Sequence, residues 1–254
     1  MPAPTAIVNC DTTSGPFQFH LYREWSPNGV DRAIELYEKH FFDNSHFFRV
    51  VHGFLVQFGI SYSLDQALIR FGNSNIPDDP QLDPPIPFEE GIISYAGGGP
   101  NSRTSQMFIA YGPVASLGKQ LWETPIGKVV KGMENVRKFY ADYGDMPPWG
   151  KGPVQGKIRQ EGVAYMEENY PLMDHFLECH LKKPIDSETH IRSIRDVTND
   201  KAPQSPVLRV KTKNQPQSEN LSTPMIVAVF VAFCVLLKVV VSQFRGAKTV
   251  GKEN

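Results

Sequence analysis

The sequence predicts a mainly β protein, a mostly antiparallel barrel whose ends are closed by helices, followed by a polar tether and a membrane span. Short apolar runs rich in Val, Ile and Phe recur through residues 6–130 and are separated by turn-forming residues. Two stretches, 30–41 and 132–143, repeat apolar residues at helical spacing. Near the C-terminus, residues 225–241 are almost entirely hydrocarbon.

The first elements lead to an arginine on a strand. Residues 6–10 and 17–21 predict an opening hairpin, and residues 30–41 predict a helix. The run FFRVVHGFLVQFG at 47–59 predicts two short strands with a corner at the central His-Gly pair. The two-residue period puts Phe47 and Arg49 on one face, so Arg49 either points to solvent or lies beside an apolar surface. Taken alone, the pattern favours solvent.

The middle of the chain alternates strands with irregular segments. Residues 61–91 contain too much proline for a helix or a central strand, so we expect a long ordered loop or a lid. The remaining elements are expected as follows: strands at 91–96, 105–111 and 126–130, a glycine-rich turn at 97–101, a helix at 132–143, a loop at 144–157, and a helix at 162–182 interrupted by Pro171.

The composition changes near residue 183. Residues 184–224 are polar and almost free of aromatic residues, which predicts a flexible tether. Residues 225–241 would span about 26 Å as a helix, and Lys238 near the end can extend its charge to the interface. The alternative is a buried core helix, which the preceding tether disfavours. A short basic tail, 242–254, follows.

Such a span must insert after synthesis, and we see no signal-peptide pattern at the N-terminus. We therefore expect a single-pass protein whose folded domain, 1–183, faces the cytosol. The apolar run favours the endoplasmic reticulum or Golgi, whereas the basic tail favours the mitochondrial outer membrane; of the two, we expect the former. The sequon at 220–222 would lie on the cytosolic side, so we discount it.

Charge and cysteine content exclude several classes of protein. A net charge of −1 and a pI near 6.7 argue against a nucleic-acid-binding surface. The three cysteines show neither CxxC pairing nor a metal-ligand spacing with histidines. This sparse, odd set favours a reducing compartment over a disulfide framework.

Two motifs carry a family resemblance. The run at 47–59 resembles the cyclophilin signature F-H-R-[IV]-[IV]-x-G-F-x-x-Q-x-G, and SYAGGGPNSRTSQMFI at 94–109 resembles the second signature, S-M-A-x-x-G-P-x-x-x-x-S-Q-F-F-I. Residues 127–133 look like a third block, and residues 152–165 are similar to a divergent, bacterial-like branch. The resemblance implies a closed antiparallel β-barrel of about eight strands capped by two helices, with a C-terminal helical extension.

The resemblance also implies peptidyl-prolyl cis-trans isomerase activity without a cofactor or a metal. A guanidinium close to the prolyl nitrogen would stabilise the twisted amide over the planar one, so Arg49 would be the catalytic donor. Gln57 would bind the substrate backbone, and Gln106 would help orient the arginine. By the same resemblance, the catalytic positions are Arg49, Phe54, Gln57, Gln106 and Phe108, and the substrate-binding positions are Leu55, Ala96, Gly97, Gly98, Leu117 and Trp122.

Departures from the family pattern concern the groove. Phe58 stands where the family has glycine and is expected to narrow the groove or shift its backbone. Ser116 replaces a tryptophan that lines the cyclosporin face in the family, so we expect weak cyclosporin binding. The family's pocket histidine has no clear counterpart, and Trp122 is a candidate to fill part of that space.

Three hypotheses follow. The first is a membrane-tethered isomerase that acts, as a monomer, on proline-containing polypeptides. The second is a catalytically weak module that binds proline-containing segments in the same groove and works as a membrane adaptor. The third, a barrel that only spaces other partners, has no support beyond the proline-rich loop.

Overall fold

The computed structural model describes residues 1–184, so the predicted membrane span at 225–241 and the basic tail at 242–254 lie outside the described residues. Within residues 1–184, no helix is long and apolar enough to cross a membrane. The strands are β1 Ala6–Thr12, β2 Phe17–Leu21, β3 Arg49–Val51, β4 Leu55–Phe58, β5 Ile92–Tyr95, β6 Met107–Ala110, β7 Gly127–Lys131 and β8 Phe176–Lys182. The helices are α1 Pro27–Glu38, α2 Gln66–Asn73, α3 Met133–Val136, α4 Gln155–Glu161 and α5 Val163–Asn169.

The eight strands form one antiparallel sheet in the order β3-β4-β6-β5-β7-β2-β1-β8. The predicted opening hairpin is confirmed, with Ala6 opposite Leu21. The sheet curls, but its edge strands β3 and β8 share no ladder. The two edges meet only beside an isolated bridge, where the Phe47 N–H donates to the Asp174 carbonyl and the Phe176 N–H donates to the Ser45 carbonyl, each at 3.0 Å. The expectation of a closed barrel is therefore wrong in this respect, because the contact between the edges is one bridge at His46 and β3 begins three residues later, at Arg49.

Alternate residues of the central strands face the inside of the curled sheet. Val56 and Phe58 of β4 lie opposite Ile109 and Met107 of β6, and all four are buried in one cluster. The apolar face of α1 closes this cluster with Val30, Ala33, Ile34, Leu36 and Tyr37. The intervening residues of the same strands face outward, as the strand period requires. That outer face carries the candidate site.

The two-residue period does not extend back to Phe47, because β3 begins only at Arg49. Phe47 belongs to the inner cluster and stacks on Phe139 with ring centroids 4.0 Å apart. The Arg49 side chain lies outside this cluster and donates to Asp145, which lies in a loop. The prediction that Phe47 and Arg49 share a face is therefore wrong.

Several expected elements differ in extent or type. The proline-rich segment 61–91 contains an unexpected helix, α2, whose first turn is capped by the Asp65 carboxylate. The helix expected at 132–143 is limited to the four residues of α3. The expected loop at 144–157 ends in α4, and the expected helix at 162–182 consists of α5 followed by the edge strand β8.

Cys10 and Cys179 form a disulfide between the paired strands β1 and β8, with their Cα atoms 4.1 Å apart. The expectation that the cysteines are reduced is overturned by this pairing. The sequence did not reveal it because the two cysteines are separated by 169 residues and meet only when the last strand returns to the first.

Candidate functional site

Strand pairing brings three predicted site residues into one row across the outer face of the sheet. Arg49 on β3 lies opposite Gln57 on β4, and Gln57 lies opposite Phe108 on β6. Directly opposed side chains on neighbouring strands have Cβ atoms roughly 5 Å apart. The two sequence motifs therefore meet on one surface through the β4–β6 ladder.

An apolar cluster adjoins this row. Leu55 and Phe108 are buried in it, and Phe54, Ala96 and Leu117 pack against it while partly exposed. The Arg49 guanidinium carbon lies 5.5 Å from the centre of the Phe54 ring. We call this partly exposed apolar cluster, which has a cation at its edge, the recess.

Phe88 packs against the residues that form the recess. It comes from the proline-rich segment 61–91, is buried, and stacks on Phe108 with ring centroids 5.7 Å apart. Leu82 and Ile86 from the same segment pack against the same cluster. These contacts make the segment part of the wall of the recess.

A carboxylate holds the guanidinium of Arg49. Asp145 accepts from Nε at 2.6 Å and from Nη2 at 2.9 Å, a bidentate pair in which both side chains are about one-fifth exposed: 19% for Arg49 and 20% for Asp145. The hydrogen bonds from Arg49 lower the pKa of the Asp145 carboxyl below its usual value, and a bond from the Met146 N–H acts in the same direction. The site arginine is therefore neither free in solvent nor unpaired.

A line of three amides continues from the arginine. Arg49 Nη1 donates to Gln57 Oε1 at 3.2 Å, Gln57 Nε2 donates to Gln106 Oε1 at 2.8 Å, and Gln106 Nε2 donates to Gln155 Oε1 at 2.9 Å. Each amide accepts from one neighbour and donates to the next. Gln57 therefore contacts Arg49 directly, whereas Gln106 is joined to Arg49 only through Gln57.

The opposite rim of the recess is formed by the glycine-rich turn. A Cβ at Gly97 would lie 2.9 Å from Trp122, so the indole packs directly over this glycine. The Ala96 N–H donates to the Gln106 carbonyl at 2.9 Å, and the Gly98 N–H donates to Ser102 Oγ at 2.8 Å. The N–H groups of Ala96 and Gly98 are therefore already engaged within the protein.

Phe58 does not reach the groove. It is 1% exposed and packs edge-to-face against Phe42, Phe47 and Phe176 in the inner core. Gln57 and Phe58 are consecutive strand residues, so their side chains point to opposite faces of the sheet. The expectation that Phe58 narrows the groove is corrected accordingly.

Sequence reasoning missed Asp145, Gln155 and Phe88. The strand pattern alone favoured a solvent-facing arginine, so it did not indicate that Arg49 needs a partner carboxylate. The identity of that carboxylate was not readable either, because Asp145 lies 96 residues away from Arg49 in a loop without a motif of its own. Residues 1–184 contain no cluster of His, Cys, Asp and Glu that could hold a metal ion.

Comparison with known proteins gives one family. A family model described as cyclophilin type peptidyl-prolyl cis-trans isomerase matches residues 7–158. The chain is 32% identical over 134 residues to the peptidyl-prolyl cis-trans isomerase CYP18-2 of Arabidopsis thaliana, covering 52% of this chain and 79% of that protein. It is 31% identical over 140 residues to the peptidyl-prolyl cis-trans isomerase cypE of Dictyostelium discoideum, covering 53% of this chain and 84% of that protein.

The fold has solved counterparts. A crystal structure of a cyclophilin type peptidyl-prolyl cis-trans isomerase from Cryptosporidium parvum, obtained in the presence of the dipeptide Ala-Pro, is similar with a TM-score of 0.50. The two chains are 19% identical, and the match covers 70% of this chain and 99% of the other. At this identity the likeness concerns the fold.

Proposed function

This chain belongs to the cyclophilin-type peptidyl-prolyl cis-trans isomerase family, and from that premise we propose that it accelerates rotation about X–Pro bonds in polypeptides. The observation that carries the proposal is the oriented guanidinium of Arg49 at the edge of the apolar recess formed by Phe54, Leu55, Phe108 and Leu117. The dipeptide Ala-Pro present with the similar Cryptosporidium protein supports a proline-containing ligand.

The chemistry requires one well-placed donor. The planar amide resists rotation by roughly 18–20 kcal/mol because the nitrogen lone pair is delocalised into the carbonyl. In the twisted state that lone pair is localised on the prolyl nitrogen and can accept a hydrogen bond. A guanidinium N–H directed at this nitrogen stabilises the twisted state and not the planar one, which lowers the barrier. The apolar recess holds the proline ring while the preceding residues turn.

Arg49 also has donors to spare. A guanidinium carries five N–H groups. Within the described residues, Asp145 engages two of them and Gln57 engages one, which leaves two for a substrate. Gln57 would contact the substrate backbone, Gln106 would help to orient the arginine through Gln57, and the turn at Ala96, Gly97 and Gly98 would receive the residues before proline.

The direct test is Arg49→Ala and Arg49→Lys in the full chain, assayed by cis/trans exchange in a proline-containing peptide. Loss of one preorganised donor is expected to lower kcat/KM by about 10²–10³-fold. Lysine keeps the charge but not the planar fork, so it is expected to restore little. Arg70→Ala, an exposed arginine on α2, is the matched control and is expected to leave activity unchanged. A folded Arg49→Ala protein with full activity would remove the proposal.

A second candidate is a binding module with weak catalysis. It is favoured by the pairing of Arg49 with Asp145, which reduces the net charge available to the substrate. Negligible isomerase activity of the wild-type chain, together with measurable affinity for a proline-containing peptide, would support this candidate over the enzyme.

We propose in addition that residues 225–241 anchor the protein in a membrane, with the endoplasmic reticulum or Golgi favoured over the mitochondrial outer membrane. The support is the unbroken apolar run followed by a short basic tail. Truncation after Leu221 is expected to move the protein from the membrane fraction to the supernatant. A truncated chain that stays in the membrane fraction would contradict the assignment.

Two further features of the function are proposed. Cyclosporin is expected to inhibit weakly, because Ser116 is exposed where the family has a tryptophan and Trp122 packs over Gly97 instead. A competition assay against the peptide substrate measures this, and nanomolar inhibition would contradict it. The protein is expected to act as a monomer, which sedimentation in detergent tests.

A further inference from the structure

Asp145 is held in place by its own loop. The Gly152 N–H donates to the Asp145 carbonyl at 2.9 Å, and the Met146 N–H donates to Asp145 Oδ1 at 2.7 Å. A Cβ at Gly150 would lie 2.1 Å from the Asp145 carbonyl oxygen. Only glycine, which has no side chain, therefore allows the loop to pass this close to Asp145. Both the backbone and the carboxylate of Asp145 are thus fixed before any substrate arrives.

The fork between the two side chains fixes the arginine in turn. Two parallel hydrogen bonds, donated by Nε and Nη2 of Arg49 to Asp145, define the plane of the guanidinium. A third bond, donated by Nη1 to Gln57, defines its rotation within the site. An arginine on an open strand face would otherwise sample many rotamers. Here the Nη1 edge remains directed along the row of Gln57 and Phe108, where the proline ring would bind.

The same segment secures the far end of the amide line. Gln155 at the start of α4 accepts from Gln106 and donates to the Met146 sulfur at 3.1 Å. Asp145 therefore binds the arginine end of the network, and Gln155 binds the end at Gln106. Asp145 lies in one loop, and Gln155 lies in the helix that follows it.

We propose that Asp145 is a positioning residue of the isomerase site, which fixes the guanidinium of Arg49 so that its Nη1 edge faces the prolyl nitrogen. The inference rests on the proposed isomerase function. Asp145 does not touch the substrate. Its contribution is to remove the search over arginine conformations, so its loss affects the rate of rotation more than the affinity for the peptide.

Two other roles are possible for a carboxylate in this place, and each gives a different result. A brake would withhold the guanidinium from the substrate, so its removal would raise activity. A purely structural pair would secure the loop, so its removal would lower stability and leave the activity of the folded protein unchanged.

The test compares Asp145→Asn with Asp142→Asn, an exposed aspartate three positions earlier, in the full chain. Asparagine has the same shape and keeps one oxygen acceptor, but it cannot accept both guanidinium bonds. We expect kcat/KM to fall by about 10–100-fold with KM changed less than threefold, as misplacement of a catalytic group does. Asp142→Asn is expected to behave as wild type.

A second readout is independent of activity. The Nε–H signal of Arg49, observed with arginine labelled at the side-chain nitrogens, is expected to be protected from exchange in wild type and to lose that protection in Asp145→Asn. The wild-type signal should also lose it when the pH falls below the ordinary range of a carboxyl group. The charged group that bears on this titration is Arg49 on β3, whose hydrogen bonds lower the pKa of Asp145.

The outcomes separate this inference from the function on which it rests. Asp145→Asn with wild-type kcat/KM, or with increased kcat/KM, would overturn the positioning role even if Arg49→Ala is inactive. If instead Arg49→Ala retains full activity, the proposed function fails. Nε–H protection then still reports whether Asp145 fixes the arginine, and unchanged protection in Asp145→Asn would overturn that as well.

Discussion

Gln57 and Phe58 are neighbours on β4 whose side chains serve opposite faces of one sheet. Gln57 joins the arginine network, and Phe58 fills the inner core among Phe42, Phe47 and Phe176. A glycine in place of Phe58, as in the family signature, would leave the groove unchanged, because the side chain at this position points into the interior. The difference between this chain and its family at Phe58 therefore concerns packing.

Phe58→Ala is expected to lower the free energy of unfolding by about 3–5 kcal/mol and to leave kcat/KM of the folded protein near wild type. Phe54→Ala is the matched comparison: Phe54 is only partly buried at the edge of the recess, so its loss should cost less stability and more activity. Urea unfolding and peptide isomerisation measure the two quantities. An activity loss for Phe58→Ala as large as that for Phe54→Ala would show that Phe58 does contribute to the groove.

His46 makes stability depend on pH. It is 6% exposed, its Nδ1 lies 2.8 Å from the Tyr62 hydroxyl, and its ring centroid is 5.0 Å from that of His175. Burial, aided by the charge of His175 and opposed by Asp174, lowers the pKa of His46 to about 4. The unfolded chain therefore binds a proton at higher pH than the folded chain does.

The sign follows from linkage: as pH falls from about 6.5 to 4, the unfolded state gains the proton first and stability declines, by up to roughly 3 kcal/mol. His46→Gln, which keeps a partner for Tyr62, is expected to remove most of this decline. His180→Gln, an exposed histidine on β8, is the control and should retain it. Urea midpoints measured at several pH values test the prediction, and equal slopes for wild type and His46→Gln would refute it.

At the scale of elements, α1 is capped by a residue from another part of the chain. The Asp79 carboxylate accepts from the N–H groups of Asn28 at 2.7 Å and Gly29 at 2.9 Å, and from Ser26 Oγ. It also accepts from Arg103 Nη1 at 3.0 Å, and the Arg103 side chain is fully buried. One carboxylate therefore joins α1, the proline-rich segment and the loop that leads to Gln106.

Asp79→Asn is expected to lower the free energy of unfolding by about 3–5 kcal/mol, because it leaves the buried charge of Arg103 without its closest partner. The double variant Asp79→Asn with Arg103→Met removes that charge and should recover part of the loss. Limited proteolysis should cut the proline-rich segment faster in the single variant. A single variant within 1 kcal/mol of wild type would show that this cluster does not hold the segment.

Some elements could not be predicted from the sequence because tertiary contacts bury residues at a helical spacing where the chain does not form a long helix. Phe176 and Cys179 are buried three residues apart, which resembles a helix, yet they belong to β8, where a register shift at Asp11–Thr12 interrupts the pairing with β1. Val136 and Phe139 keep a helical spacing, but the N–H groups of Lys138 and Phe139 bond three residues back rather than four, so α3 is shorter than its pattern.

At the scale of the whole molecule, the two motifs sufficed to predict the fold family. The row of Arg49, Gln57 and Phe108 became visible only in the structure, where the strands that carry the motifs pair. The counter-charge Asp145 was not predictable, since nothing local distinguishes it among the 27 acidic residues of the chain. The disulfide was equally hidden. Both depend on contacts between residues far apart in the chain, 96 residues for Arg49 and Asp145 and 169 residues for the two cysteines.

The disulfide bears on the compartment in which the domain resides. Cys10 and Cys179 are 1% and 2% exposed and join the first and last strands. Such bonds persist in oxidising compartments and are rare in the cytosol. From this pairing we propose a lumenal or extracellular domain, opposite to the cytosolic side expected from the position of the membrane span.

We expect the native chain, alkylated without reduction, to carry a single label on Cys234 once unfolded, and Cys10→Ala to lower the free energy of unfolding by about 2–5 kcal/mol. Cys234→Ala should change neither the bond nor the stability of the domain. In sealed microsomes, the domain should resist added protease until detergent opens the membrane, because the compartment that preserves the bond also encloses the domain. Cleavage without detergent, with Cys10 and Cys179 recovered as free thiols, would restore the cytosolic orientation and show that the bond does not form in the cell.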